Sequence, residues 1–269
     1  MKTPLGVGLL NYVRLRVQKD FPLTFQVRKT KIRLGVSSVL ELWRGETYET
    51  KEPETLDWID GFSPAEVFFD VGANIGLYSV YAASARGCKV LAFEPEGKNF
   101  ARLMNNQILN ELDGMRAFCI AVGGSLRVDQ LYVAGRASGD SQHNIGGANP
   151  LFPRECSVVQ GSLVMSLDDL CYSFNLPIPQ HLKIDVDGLE EEIVSGAGRL
   201  LRDTRLRTVM VEIAERRGLT SPIYEAMQQA GFAVLLKAKR AYETELLTAR
   251  NVLFHRSHFT RTSTSHGGR

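Results

Sequence analysis

Short apolar runs alternate with longer helical segments from Glu66 onward. The run EVFFDV (residues 66–71) is typical of a buried strand, IGLYSVYAASA after it has helical spacing, and CKVLAFE (residues 88–94) is typical of the next strand. Further strand-like runs follow at MRAFCIAV, HLKIDVD, LRTVMVEI, GFAVLLKAK and NVLFHR. Chains with this alternation bury a mostly parallel sheet between layers of helices. The sequence therefore predicts an α/β fold.

The chain is long enough for one large core, because it has 269 residues and 44% hydrophobic content. We predict an N-terminal extension over residues 1–60, a main domain over residues 61–256 with a loose insert at about residues 123–179, and a disordered polar tail over residues 257–269. In the extension, KIRLGVSSVLELWRG has strand-like stretches and ETYETKEPETLDWIDGF is acidic and turn-rich. In the insert, we expect strands at LYVA and SVVQGSLVM and a short helix at LDDLCYSF.

The charge and the apolar runs limit the partners and the location. A formal charge of +2 and a pI near 8.3 are too mild to argue for a nucleic-acid partner. The basic residues between Arg14 and Arg33 fit a solvated face, or attraction to an anionic substrate or a membrane surface. No run approaches the roughly 18 apolar residues that span a bilayer, and four cysteines without a CxxC pair fit free thiols. We expect a cytoplasmic protein. We expect no metal site, since HxH, HExxH and Cys/His clusters are missing from the sequence. The oligomeric state stays open.

A glycine-rich turn follows the first strand of the main domain. Asp70-Val71-Gly72-Ala73-Asn74-Ile75-Gly76 stands where that strand passes into a helix. Glycines there let the backbone approach a ligand while helical N–H groups face it, although many such turns use glycine for geometry alone. The spacing GxNxG also differs from the GxGxxG of dinucleotide-binding proteins. The turn alone leaves a ligand cradle and a purely structural turn open.

An acidic residue, Glu94, ends the next strand and precedes Pro95. In a doubly wound sheet, the carboxyl end of this strand lies beside the first turn, at the crevice where ligands bind. A carboxylate there can accept hydrogen bonds from both hydroxyls of a ribose, or it can interact with the dipole of the following helix. Asp70 and Glu94 together, each at a strand end, are more specific for a ligand site than either alone.

Three segments in order resemble the motifs of one family. FFDVGANIGLYSVYAA, VLAFEPEGKNFARLMNNQILN and LKIDVDGLEEEIVSGAGRLL are similar to those of FkbM-type S-adenosylmethionine-dependent methyltransferases. The resemblance covers roughly residues 66–254 and is weakest over residues 123–160. This chain departs from the pattern at Asp187, where the family commonly has Glu in KIDVEG.

The resemblance implies a Rossmann-like class I methyltransferase fold, with a seven-stranded, mostly parallel sheet, helices on both faces and the last strand antiparallel. It also implies S-adenosyl-L-methionine as the cofactor. By the same resemblance, Gly72, Asn74 and Gly76 shape the cradle for the methionine part, Asp70 helps to hold its ammonium group and Glu94 holds the ribose. Ala121 and Val122, after the third strand, are implied to lie near the adenine.

Two residues are candidates for the chemistry of methyl transfer to a hydroxyl, which must lose its proton to a base. Asp185 ends the fourth strand of the main domain, and we predict it to be the carboxylate nearest the transferred methyl, as base or as orienting group. His143 lies in the polar stretch GDSQHNIGG, where an imidazole can act near neutral pH or can simply be solvated. Asp187 fits the cap of the helix that follows.

These residues favour an O-methyltransferase that acts on a hydroxyl of a sugar, a glycan or glycolipid, or a secondary metabolite. A nicotinamide-dependent oxidoreductase is the alternative enzyme, since it also uses a strand–glycine–helix unit and a ribose-binding acid. A non-catalytic module that keeps the methyltransferase fold is the third hypothesis.

Overall fold

The computed structural model describes residues 21–135, 137–141, 143–146, 156–216, 221–238, 242–243 and 247–257. The strands are β1 (Phe21–Val27), β2 (Thr30–Val36), β3 (Val67–Val71), β4 (Lys89–Phe93), β5 (Met115–Phe118), β6 (Ala121–Val122), β7 (Arg127–Val133), β8 (Asn144–Ile145), β9 (Val158–Met165), β10 (His181–Ile184), β11 (Thr208–Arg216), β12 (Phe232–Lys237), β13 (Tyr242–Glu243) and β14 (Leu247–Arg256). The helices are α1 (Val39–Glu46), α2 (Tyr48–Lys51), α3 (Pro53–Asp60), α4 (Leu77–Arg86), α5 (Gly97–Leu109), α6 (Glu190–Ser195) and α7 (Ile223–Gln229). A π-helical turn, Asp169–Ser173, and a 3₁₀ turn, Leu200–Arg202, complete them.

The main sheet has the strand order β12-β14-β11-β10-β3-β4-β5, with β13 paired to β14. β5, β4, β3, β10 and β11 pair in parallel, whereas β14 runs antiparallel to both of its long neighbours. The prediction of a mostly parallel sheet with an antiparallel last strand is confirmed. Because the chain leaves β3 toward β4 on one side and returns to β10 on the other, the strand order reverses at β3, where open α/β sheets bind ligands.

The strands of this sheet are buried on both faces, which explains their continuous apolar runs. Phe69 and Val71 point into a core shared with α6 and α7, and Phe68 points to the opposite core, under α3 and α4. Among these, Phe68 and Phe69 have no exposed surface. The two packed layers fix the carboxyl ends of β3, β4 and β10 against each other.

The segment before the main sheet is more helical than its sequence suggested. The KIRLGV part of the first stretch lies in β2, as expected, but residues 39–60 form α1, α2 and α3. The interpretation of ETYETKEPETLDWIDGF as turn-rich is therefore wrong. The reason is a capping box: the Ser38 hydroxyl accepts from the Glu41 N–H at 3.0 Å, and the Glu41 carboxylate accepts from the Ser38 N–H at 3.1 Å. Pro53 at the start of α3 has the φ that a first helical turn requires.

The insert between β5 and β10 forms a sheet of its own, with the order β6-β9-β7-β8. β7 and β9 pair antiparallel at the two stretches where strands were expected, and the LDDLCYSF helix is present as the π-helical turn. Residues 147–155 and the predicted tail after residue 257 lie outside the described residues. In the part of the chain that the structure describes, no helix is both long and apolar enough to cross a membrane.

Candidate active site

A cleft of about 550 Å³, part of it open to solvent, lies between the carboxyl ends of β3, β4 and β10 and the insert sheet. It has the mixed polar and apolar lining of a small-molecule site. Most of the residues singled out from the sequence line it: Gly72, Asn74, Glu94, Ala121, Val122, His143 and Asp185. Asp70 and Gly76 are not among the lining residues.

Gly72 lets two strand ends approach closely. Its φ is +82°, and a Cβ at this position would lie 1.8 Å from the backbone oxygen of Asp185. The Gly72 and Ala73 N–H groups both donate to the Phe93 carbonyl at 3.0 Å, which ties the turn to β4. The turn therefore requires glycine for both its φ and its packing.

Asn74 connects this turn to the insert. Its φ is +52°, in the left-handed region that Asn tolerates. Its side-chain amide donates to the Asp140 carbonyl at 2.7 Å, and its backbone N–H donates to a Glu94 carboxylate oxygen at 2.8 Å. Asn99 on α5 also donates to the Asp140 carbonyl, at 3.1 Å. Asn74 thereby holds the loop that carries His143 over the cleft.

Glu94 is a buried carboxylate at the cleft wall, with 4% of its surface exposed. One oxygen accepts from the Asn74 N–H and the other from the Glu96 N–H at 2.9 Å. Burial raises the pKa of Glu94 to about 7, because these backbone hydrogen bonds only partly compensate for the lost hydration. The ionised form can be stabilised further by hydroxyl donors in the cleft.

Asp70 lies below the cleft, on the face of β3 that packs toward α4. One carboxylate oxygen accepts from the Ser79 hydroxyl at 2.6 Å, and the other, also buried, has no hydrogen-bond partner among the described residues. Burial raises the pKa of Asp70, against the opposing effect of the Lys183 ammonium. Gly76, φ +85°, begins α4 where a Cβ would press on Leu103 of α5 at 3.1 Å.

Asp185 and Lys183 form an ion pair at the end of β10. The Lys183 ammonium, on a residue 1% exposed, donates to one carboxylate oxygen of Asp185, whose side chain is 24% exposed. Burial alone would lower the pKa of Lys183, but the carboxylates of Asp185, Glu52 and Asp70 raise it above its ordinary value. Asp185 therefore presents its carboxylate to the cleft with its orientation fixed from below.

His143 is also at the cleft, and its ring geometry restricts its chemistry. Its Nδ1 is 3.2 Å from the Ala134 N–H, which donates to it, so in the neutral ring Nε2 carries the proton. Nε2 lies 3.5 Å from the Asn99 amide nitrogen. In this arrangement the imidazole can donate a hydrogen bond from Nε2, whereas uptake of a proton at Nδ1 requires loss of the Ala134 contact.

Glu190, in the first turn of α6, was not among the candidates from the sequence. It is 6% exposed, and one carboxylate oxygen accepts from the N–H groups of Val186 and Gly188, at 3.2 and 3.1 Å. Burial raises its pKa to about 7. It shapes the turn that places Asp187, φ +60°, at the cleft. The N-cap residue of α6 is Leu189, which has no side-chain cap hydrogen bond, and a capping role for Asp187 stays a prediction.

Glu52, in the segment before the main sheet, was not a candidate either. Burial by itself would raise the pKa of Glu52. The ammonium groups of Lys183 and Lys51 lower this pKa to about 2. This interaction could not be predicted from local sequence, because Glu52 and Lys183 are far apart in the chain and come together only in the fold. In the described ranges, no group of three or more His, Cys, Asp or Glu side chains is arranged to hold a metal ion.

The strand order and the position of the cleft define a Rossmann-like methyltransferase fold. Residues 70–234 match the model of the methyltransferase FkbM domain, and the chain belongs to this family.

Two curated relatives and a solved structure are similar to the chain. It is 25% identical over 197 residues to a hexuronic acid methyltransferase, AglP, of Haloferax volcanii. The aligned region covers 71% of this chain and 74% of the relative. It is 24% identical over 198 residues to a 31-O-demethyl-FK506 methyltransferase, FkbM, of Streptomyces tacrolimicus, with 64% and 74% covered. A crystal structure of a methyltransferase FkbM from Methylobacillus flagellatus KT matches with a TM-score of 0.42 and 14% identity, over 71% of this chain and 44% of that one.

Proposed function

We propose that this protein transfers the methyl group of S-adenosyl-L-methionine to a hydroxyl of a sugar, a glycan or glycolipid, or a secondary metabolite. The observation that carries the proposal is the meeting of Gly72, Glu94 and Asp185 from three adjacent strands in one cleft. Membership of the methyltransferase FkbM domain family supports the reaction type.

The residues present fit the cofactor. The Gly72 turn has no side chain to exclude a ligand from the backbone, and Glu94 is a buried carboxylate that hydroxyl donors of a ribose would stabilise. Ala121 and Val122 offer a buried apolar wall, 2% and 4% exposed, suited to an adenine ring. When bound, S-adenosylmethionine supplies a methyl group activated by its sulfonium cation.

The chain's own residues would then position and deprotonate the acceptor. Asp185 accepts the hydroxyl proton on the carboxylate oxygen that Lys183 does not hold, and a base in this position contributes about 10²–10⁴-fold. The Nε2–H of His143 donates a hydrogen bond to an acceptor oxygen, in place of the base role expected from the sequence. Alignment of the acceptor contributes on the order of 7–11 kcal/mol.

The names of the relatives support the proposed acceptor class. The names of the two curated relatives refer to a hexuronic acid and to an oxygen-methylated metabolite. We therefore assign a hydroxyl acceptor of the sugar or natural-product type to this chain.

Calorimetric titration with S-adenosylhomocysteine and with NAD tests the proposal. We expect S-adenosylhomocysteine to bind and NAD not to bind; binding of NAD alone contradicts the methyltransferase function. With the cofactor and a panel of hydroxylated acceptors, Asp185→Asn should lower the release of S-adenosylhomocysteine by about 10² or more. Asp113→Asn, at an exposed carboxylate outside the cleft, is the control that should retain it.

A further inference from the structure

A row of polar residues crosses the main sheet beside the cleft. Asp185 follows Ile184, which pairs with Val211, so Asp185 lies next to Glu212; Glu212 in turn pairs with Asn251 of β14. Paired residues on neighbouring strands project to the same face, with Cβ atoms about 5 Å apart. The row therefore begins at the cleft wall, at Asp185, and extends two strands away from the cofactor cradle.

The segment before the main sheet packs on this row. The Asn251 amide nitrogen donates to Glu52 at 3.1 Å and to Glu54 at 3.2 Å. Glu52 is 5% exposed and Glu54 is half-buried. The Asn251 side chain thus lies between the strand row and the α2–α3 junction, with both of its donors in use.

The oxygen of the same amide is unused. Asn251 is 3% exposed, and its Oδ1 has no hydrogen-bond partner among the residues that the structure describes. Exchange of the amide N and O atoms would place oxygen against two carboxylates, so the orientation is fixed by Glu52 and Glu54. A buried acceptor without a donor costs free energy, and a hydroxyl of a ligand is a donor that would satisfy it.

Glu212, between Asp185 and Asn251, is partly buried and faces other acids. Burial, and then the carboxylates of Asp185, Asp187, Glu190 and Glu52, raise its pKa well above the ordinary value. This shift favours the protonated form, in which the carboxyl group can both donate and accept a hydrogen bond. The row then offers the Asp185 carboxylate, the Glu212 carboxyl group and the Asn251 amide oxygen in sequence.

We propose that Asp185, Glu212 and Asn251 form a subsite that binds two adjacent hydroxyls of the acceptor, so that the acceptor is a polyol such as a sugar ring. One hydroxyl lies at Asp185, where it is methylated, and its neighbour lies between Glu212 and Asn251. Three polar groups on neighbouring strands cannot all be satisfied by an isolated hydroxyl on an apolar molecule. This inference rests on the proposed function, because it places the acceptor beside the cofactor cleft.

Ligand-observed NMR on the complete chain, saturated with S-adenosylhomocysteine, tests the subsite. The probes are trans- and cis-cyclohexane-1,2-diol, methyl glucopyranoside and, as the matched monohydroxyl compound, cyclohexanol. At least one of the vicinal diols should bind about tenfold more tightly than cyclohexanol, because a site built for hydrogen bonds rejects the analogue that lacks them. Asn251→Leu should lower the diol affinity about tenfold and leave the S-adenosylhomocysteine affinity unchanged.

A pair of substitutions at Glu212 decides the matter even if Asn251→Leu does not fold. Glu212→Gln keeps a hydrogen-bond donor and an acceptor at this position and should retain diol affinity within about threefold, whereas Glu212→Leu should lose it. Asn105→Leu, on α5 outside the row, is the control for loss of an amide.

The outcomes separate the subsite from the proposed function. Binding of S-adenosylhomocysteine without any preference for diols, without diol binding, or with full diol affinity in Glu212→Leu overturns the subsite alone. Failure of S-adenosylhomocysteine to bind contradicts the proposed function and the subsite with it.

Discussion

Gly72→Ala tests the cradle most directly, because the structure separates two costs of adding one methyl group. An alanine at φ +82° costs about 1–2 kcal/mol of backbone strain. The new Cβ would also lie 1.8 Å from the Asp185 carbonyl oxygen. Since contacts below about 3 Å are forbidden for carbon and oxygen, the ends of β3 and β10 must separate by roughly 1 Å.

This displacement acts on residues that the proposed reaction requires. It moves Asp185 relative to the turn and Glu94, and a 1 Å misplacement can cost about 10²-fold in rate. We expect Gly72→Ala to reduce S-adenosylhomocysteine affinity at least about tenfold and turnover about 10²-fold. The assays are calorimetric titration, acceptor-dependent turnover and thermal unfolding.

Gly231→Ala is the matched control. Gly231 has a φ of +85°, but a Cβ there meets only Arg256 Nη1, at 3.7 Å, and the residue lies outside the cleft. It pays the same backbone strain without the clash, so it should lose about 1–2 kcal/mol of stability and keep cofactor affinity. If the two variants bind S-adenosylhomocysteine equally well, the close-approach argument for Gly72 is refuted.

Three further predictions concern the polar groups around the cleft. The ionised form of Glu94 accepts hydroxyl donors and its pKa is about 7, so S-adenosylhomocysteine affinity should weaken by up to about tenfold per pH unit as the pH falls below 7. Glu94→Gln should remove this pH dependence in calorimetry at pH 5.5 to 8. An unchanged slope in Glu94→Gln would contradict the role of Glu94. Lys183→Met should destabilise the chain by about 3–5 kcal/mol in urea unfolding, since it leaves buried carboxylates without their cation. Adding Glu52→Gln should recover part of this stability. Simple additivity of the two losses would exclude an interaction between Lys183 and Glu52. Asn74→Gly keeps the positive φ but removes the side-chain amide that donates to the Asp140 carbonyl, so backbone amide hydrogen exchange in residues 137–141 should accelerate. Unchanged exchange would show that Asn99 alone holds the loop.

The main sheet could be predicted because its information is local. Strands buried on both faces give continuous apolar runs, and each is followed by a turn residue and a helical pattern. The family motifs lie at the same strand ends. The strand-to-helix turn at Gly72 and the acid at Glu94 were therefore visible before any contact was known.

The helices before the sheet could have been found from one local signal that was overlooked. Ser38 and Glu41 have the spacing of a capping box, which marks a helix start. The burial of Glu41 was not predictable in this way, because it depends on Arg102, whose Nε donates to its carboxylate at 2.7 Å from a distant helix. Local sequence signals indicate that a helix begins here, whereas tertiary contacts determine which face of the helix is buried.

The chemistry of the site was only partly visible for the same reason. Asp185 could be placed at a strand end, but its ion pair with Lys183 is seen only in the folded chain. His143 was considered as a base without knowledge of the Ala134 contact at Nδ1. Hydrogen-bond direction is a property of the folded site. Residue type alone does not separate a donor imidazole from a base.

The carboxyl edge of the sheet concentrates groups whose burial opposes folding. Glu94, Glu190 and Glu212 all have raised pKa values because they are buried, and Lys183 is held charged in the interior. Well-packed apolar residues in these places would be neutral or stabilising, so stability does not explain them. Perturbed groups of this kind gather where a ligand is bound or a proton is moved. These groups lie beside the Gly72 turn, and among the described residues no donor reaches a buried oxygen of Asp70 or of Asn251. We infer that ligand binding explains the cost of burying them.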